Sequence, residues 1–339
     1  MSSSRTFHLR DSIESAYPDV YTPEAIAAIE ALEPLNAERN QLMAARTRRR
    51  AERFRSGEPP QFLDPDETIP GTTLTVRNAR EGRFTGSAIP ADLQRQWIQG
   101  TGPGAKPHAN LASSIRNVAY ALLSGADGWM FDGEDALGQI ETMSLDNQRN
   151  LKLAFARDGR FLEVVPGVAE GMNRWAREFF GHEIVPDWEQ QLSFTTRIFR
   201  ARGLHLDDRH TRDHEGKGLA ASIVDTALYV TNNHRTLREQ GSSVVLYLPK
   251  IQTAAEAAFW NKLLTTLEDH LGLEEGTIKT YVLVEQLEAT YQLMEIRAAL
   301  GRHFVGYNTG RWDYINSVSD RLAADPDFLN PNLEAIPLT

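Results

Sequence analysis

Two carboxylates, Glu285 and Asp313, carry the clearest chemical signal in the chain. Each stands shortly after a run of strand-forming residues, Val282–Val284 for the first and Phe304–Tyr307 for the second. Two acids with open coordination positions suit a hard cation such as Mg²⁺, which takes oxygen ligands and keeps waters or substrate oxygens. The same spacing also fits a purely structural arrangement, with Glu285 capping the following helix and Asp313 making a loop ion pair.

The elements that must position these acids are legible nearby. Leu287, Tyr291, Met294 and Ala298 recur at spacings of three and four, a helical pattern. The stretch from Val282 to Tyr314 therefore reads strand, helix, strand. Acids just past the C-terminal ends of successive strands lie on the rim where parallel α/β proteins bind ligands.

Residues Gly310–Ile315 spell GRWDYI. Three further motifs precede it in order: Glu134-Asp135 within WMFDGED, Arg202-Gly203-Leu204-His205, and Tyr247-Leu248-Pro249-Lys250. On these four motifs the chain resembles the malate synthase family, from about Tyr21 to about Asn330. The resemblance implies an α/β fold of the (β/α)₈ TIM-barrel type, preceded by an N-terminal helical segment. The expected division is residues 1–95 for that segment and its linker, and 96–339 for a barrel missing its last strand.

The resemblance also implies roles. Glu285 and Asp313 would hold Mg²⁺. Arg202 would stabilise negative charge on a substrate oxygen, a task suited to a permanently charged fork. Glu134 and Asp135 would complete the catalytic set as partners for the waters of the metal. Gly310, Arg311 and Trp312 would bind substrate, through backbone N–H groups on the glyoxylate carboxylate. Lys250 reads equally as a rim cation or as a structural group. The implied reaction is the condensation of acetyl-CoA with glyoxylate. The family's enolising aspartate belongs to a C-terminal domain beyond the matched motifs. The expectation is therefore that another polypeptide completes the fold, either a complementary C-terminal subunit or a second copy of the chain. Two alternatives stand beside it: a CoA-independent aldolase or lyase acting on a 2-oxo acid, and a non-catalytic 2-oxo-acid-binding regulatory subunit.

Composition narrows the setting. The chain has 339 residues, 41% hydrophobic and 24% charged, ordinary globular values. A net charge of -10 argues against a general nucleic-acid or membrane-surface binder. The absence of cysteine excludes disulfides, thiolate nucleophiles and Cys-ligated metals. With no apolar signal segment near Met1 and no peroxisomal tripeptide at Pro337–Thr339, a cytoplasmic location is expected.

Along the chain, residues 1 to about 20 are polar and read as loose. Thr22-Pro23-Glu24 reads as a helix start, and Asn36 to Arg55 as a second helix with a basic run at Arg46–Arg50. That run fits a solvated face or a clamp for an anion. Ser56 to Gly71 reads as a linker, and Leu74–Val76 as a short strand. From near Trp97, strands alternate with helices, which implies a parallel sheet. Ile98–Gly104 reads as a strand running into a Gly-rich turn, Ala109–Ser124 as a helix, and Gly128–Phe131, Thr195–Ala201 and Val244–Tyr247 as strands. About six strands are expected, with a seventh in Ala335–Leu338. The His and Asp residues crowded between His205 and Glu215 read as a polar loop on the active-site side.

Overall fold

The computed structural model describes residues 5–10, 12–95, 98–100, 102, 104, 110–137, 139–323, 325 and 327. Six parallel strands form one sheet in sequential order. They are β1 (Ile98–Gln99), β2 (Gly128–Asp132), β3 (Thr196–Arg200), β4 (Val244–Leu248), β5 (Ile278–Val284) and β6 (Phe304–Thr309). Each strand pairs with the next, in registers that include Asp132 with Arg200 and Val284 with Thr309. This is the strand order of a TIM barrel, whose closed form has eight. The expected strand at Ala335–Leu338 and the expected unit start at Trp97 lie outside the described residues.

Strand alternation sorts side chains into two cores. Met130, Ile198, Val245, Tyr247, Tyr281 and Leu283 share a small inner cluster. Phe131, Phe199, Leu246 and Val282 face the other way, into the main core beneath the helices. A period of two along each strand produces this split.

The helices cover the outer face. They include α1 (Pro23–Leu32), α2 (Asn36–Ser56), α3 (Leu111–Leu122), α4 (Met143–Phe155), α5 (Val165–Phe180), α6 (Ala221–Glu239), α7 (Ala254–Leu271), α8 (Leu293–Leu300) and α9 (Arg311–Leu322). Their ends follow capping chemistry. Thr22 accepts from Ala25 N at 3.2 Å with Pro23 at the first helical position, and Thr253 accepts from Glu256 N at 3.3 Å. Gly272 closes α7 in the left-handed conformation, φ 65°. Ala25, Ile29 and Leu32 of α1 are buried in the main core. Among the described residues no helix is long and apolar enough to cross a membrane.

Several expectations are corrected. The described part of the N-terminal stretch is not loose: Phe7, Tyr17 and Val20 are buried, and His8–Leu9 pairs with a strand at Asp207–Arg212. The crowded His and Asp segment is that strand, joined to Gly218–Ala220 in a three-stranded antiparallel sheet. Leu74–Val76 is not a strand. Thr75 makes a single bridge to Thr68 and then caps a short helix, Val76–Arg80, by accepting from Asn78 N. The helix after Glu285 is interrupted: Leu287–Tyr291 is a 3₁₀ turn, and α8 follows. GRWDYI is not a loop either. Asp313 lies in the first turn of α9.

Candidate active site

The inner face of the sheet turns polar at its C-terminal end. Alternation that places Met130, Ile198 and Leu283 inside places Asp132, Arg200 and Glu285 on the same face, two residues further on. Beyond these ends come Glu134 and Asp135 after β2, Lys250 after β4, and Asp313 after β6.

Lys250 is the centre of this group. Its Nζ lies 3.2 Å from Asp135 Oδ1, 3.4 Å from Asp313 Oδ2, 3.6 Å from Glu134 Oε2 and 4.0 Å from Glu285 Oε1. Glu285 is further fixed by the backbone N–H of Lys250, which donates to Oε1 at 2.8 Å. Gly310 lets α9 come this close. A Cβ there would meet Glu285 Oε2 at 3.0 Å and Glu285 Cβ at 2.9 Å.

Arg200 forms the second cationic element. Its Nε donates to Asp132 Oδ1 at 2.6 Å, its Nη2 pairs with Asp132 Oδ2, and Nη2 also lies 3.0 Å from Asp135 Oδ2. Its counterpart Arg202 sits elsewhere. Its Nε donates to Asp225 Oδ2 at 2.9 Å, and its Nη2 donates to Asp225 Oδ1 and Asp208 Oδ2, both at 2.7 Å. The strand has ended by then, and the Arg202 N–H is turned onto Asp225. The structure thus brings Glu134, Asp135, Glu285 and Asp313 together and leaves Arg202 outside. Arg200 is a cavity-lining arginine that the sequence reading did not single out. Its parity with Ile198 was the available signal.

Arg200, Asp135, Glu285 and Asp313 line one cavity of about 540 Å³, together with Tyr247, Gly310, Arg311 and Trp312. Trp312 is exposed, with the Arg311 guanidinium 4.7 Å from its ring centroid. A second cavity of about 760 Å³ is lined by Arg46, Arg50, Arg53, Arg55 and Arg321. His205 lines it too, and its Nε2 lies 3.5 Å from Glu134 Oε1. The basic run of α2 is therefore neither wholly solvated nor a free clamp. Arg46 and Arg49 reach the buried Glu256, at 3.7 and 3.2 Å, while Arg50 faces the second cavity and pairs with Asp320.

The electrostatics show a shortage of positive charge. Asp132, Glu134, Asp135, Glu285 and Asp313 face Lys250 and Arg200. Burial pushes the Glu285 carboxyl up to about 8, with Asp313 adding to the shift against the pull of Lys250. Burial likewise pushes Glu134 up to about 7. Burial would lower the Lys250 ammonium, but Glu134, Glu285, Asp135 and Asp313 outweigh it and hold it above its ordinary value. His205 is driven down to about 4 by burial and by Arg46, Lys250 and Arg39, so it is neutral. Among the described residues no three His, Asp or Glu side chains are drawn up into a closed metal cage. They are spread around an ammonium, and Glu134 Oε2 is buried with no hydrogen-bond partner.

A sequential parallel sheet, with acids and an arginine ringing the C-terminal ends of its strands, defines an α/β protein of the TIM-barrel type with its ligand site at the strand ends. Residues 196–338 match the family model "Malate synthase, TIM barrel domain". Among curated proteins, the chain is 31% identical over 318 residues to malate synthase A of Escherichia coli (strain K12), covering 94% of this chain and 52% of that protein. It is 31% identical over 316 residues to malate synthase of Myxococcus xanthus (strain DK1622), covering 93% and 51%. It is 32% identical over 293 residues to glyoxysomal malate synthase of Zea mays, covering 85% and 46%. The chain is similar to malate synthases over most of its length, with residues 196–338 matching their TIM-barrel domain. It spans about half the length of the curated relatives it matches.

Proposed function

We propose that this chain carries the metal and 2-oxo-acid half of a malate synthase reaction, the condensation of glyoxylate with acetyl-CoA. One observation carries the reading most directly. Four carboxylates from three strand ends surround a single ammonium, beside an arginine and the first turn of a helix.

The donor set fits Mg²⁺, a hard cation that prefers carboxylate oxygens and retains some waters. The acids outnumber the cations present, and one buried carboxylate oxygen, Glu134 Oε2, makes no hydrogen bond. Glu285 and Asp313 would hold the ion, with Glu134 and Asp135 hydrogen-bonding its waters. Bound there, Mg²⁺ supplies Lewis-acid polarisation of the 2-oxo group.

The chain's own residues would do the rest. Gly310 opens α9, and Gly310–Asp313 line the cavity at the positive end of that helix, a place suited to the glyoxylate carboxylate. Arg200, rather than Arg202, would stabilise negative charge developing on the aldehyde oxygen. Asp132 holds its fork from behind through Nε and Nη2, and Nη1 is the donor left for substrate. The arginine-lined cavity beyond His205 offers positive charge to a phosphate-bearing donor such as acetyl-CoA. The acetyl methyl group must lose a proton. The resemblance gives that step to an aspartate in the other half of the family's length.

The test is thiol release from acetyl-CoA, with and without glyoxylate, measured on this span together with the remainder of the malate synthase pattern. Release that requires glyoxylate and Mg²⁺ supports the reading. Cleavage of a 4-hydroxy-2-oxo acid without thiol release would replace it with an aldolase. Ligand binding without either activity would replace it with a regulatory binding protein.

A further inference from the structure

Lys250 is held by three separate devices. Its backbone adopts φ 53°, in the left-handed region where side-chain-bearing residues are uncommon. That turn aims its N–H at Glu285 Oε1, 2.8 Å away. Its carbonyl oxygen accepts from Arg46 Nη1 of α2 at 2.8 Å, so a second element pins the turn. The side chain is 14% exposed and ends among Glu134, Asp135, Glu285 and Asp313, which arrive from three different strand ends. An ammonium has three donors and one charge. It cannot serve four carboxylates, and Glu134 Oε2 is the oxygen left buried without a hydrogen bond.

We infer that Lys250 is an internal stand-in for the divalent ion. Its ammonium holds the four carboxylates together in the metal-free protein and leaves when the ion binds. The inference rests on the reading that Mg²⁺ binds at Glu285 and Asp313. An ion coordinated by those two residues would lie within a few ångströms of the present ammonium position, and two like charges at that range repel strongly in a partly buried site. The backbone is pinned by Glu285 and Arg46, so the movement falls to the four-carbon side chain. Metal affinity is then a competition. A divalent ion displaces the lysine, while a monovalent ion brings no more charge than the lysine already supplies.

The experiment uses the whole wild-type chain. A brief pulse of an amine-acylating reagent is applied with and without Mg²⁺, and modification is read at Lys250 and at the exposed Lys262 by mass spectrometry. Mg²⁺ is expected to raise acylation at Lys250 severalfold and to leave Lys262 unchanged. Calorimetry with Mg²⁺ on Lys250→Met is expected to show binding about tenfold or more tighter than wild type, because a competing charge is gone. Binding of Mg²⁺ to wild type with unchanged or reduced Lys250 acylation overturns the inference and leaves the metal reading standing. Weaker Mg²⁺ binding in Lys250→Met overturns it as well. Absence of Mg²⁺ binding to wild type overturns the metal reading and the inference with it. The labelling arm needs no variant, so it decides even if Lys250→Met fails to fold.

Discussion

Arg200 and Arg202 stand two residues apart at one strand end and answer to different carboxylates: Arg200 to Asp132 and Asp135 at the cavity, Arg202 to Asp208 and Asp225 in the interior. The first arrangement presents a guanidinium to the cavity. The second ties β3 to α6 and to the small antiparallel sheet.

Substitution should separate the two. Arg200→Lys keeps the charge and loses the fork. It is expected to lower kcat by about 10²–10³-fold with little change in Tm, since a fixed donor at a developing oxyanion is worth that much. Arg202→Met leaves two buried aspartates unpaired. It is expected to cost about 3–5 kcal/mol of stability. Steady-state kinetics and denaturant unfolding on both variants check the split. An Arg202 variant that folds normally but is inactive would reverse the assignment.

Much of the site was legible in the sequence because its acids follow strand ends at fixed offsets. Glu285 and Asp313 meet where the strand–helix–strand pattern placed them. Arg202 lies off the cavity because β3 ends at Arg200, and nothing in Arg-Gly-x-His marks where the strand stops. The chain turns after Arg200, so the period-two rule ends there. The segment around His210 was illegible for a different reason. Its polar sequence resembles a loop, and its pairing with Gly218–Ala220 on one side and the distant His8–Leu9 on the other makes it a strand. Lys250 was visible as a strand-end cation, but sequence carries no sign of four acids converging on it.

Gly310 should matter through its contact with Glu285 rather than through its own backbone conformation. Its φ of -106° is open to any residue, so alanine adds no backbone strain. The new Cβ would instead press on Glu285. Gly310→Ala is expected to weaken Mg²⁺ binding by roughly 10–100-fold, the scale seen when groups that orient a ligand are disturbed. Calorimetry alongside thermal unfolding checks it. Unchanged Mg²⁺ affinity would show that Glu285 can yield without consequence.

The acid limb of stability should depend in part on His234 of α6. Burial, with Arg235 and Arg238 nearby, lowers its pKa from 6.5 to about 4. Between these values the unfolded chain binds a proton that the folded chain does not. Stability contributed by neutral His234 is therefore present above pH 6.5 and is lost as pH falls towards 4. His205 and His210 are lowered too and add to the same slope. His234→Gln should flatten the pH dependence of unfolding in that window by its own share. An identical slope would show that His234 does not titrate on unfolding.

The central claim is that Glu285 and Asp313 hold a divalent ion at the strand-end rim. Calorimetric titration with Mg²⁺, on wild type, Glu285→Gln and Asp313→Ala, tests it most directly. Wild type is expected to bind, and each variant to lose at least roughly tenfold in affinity, since even groups that merely orient a metal ligand are worth 10–100-fold. Wild-type affinity in both variants, with their folds intact by circular dichroism, would contradict the account.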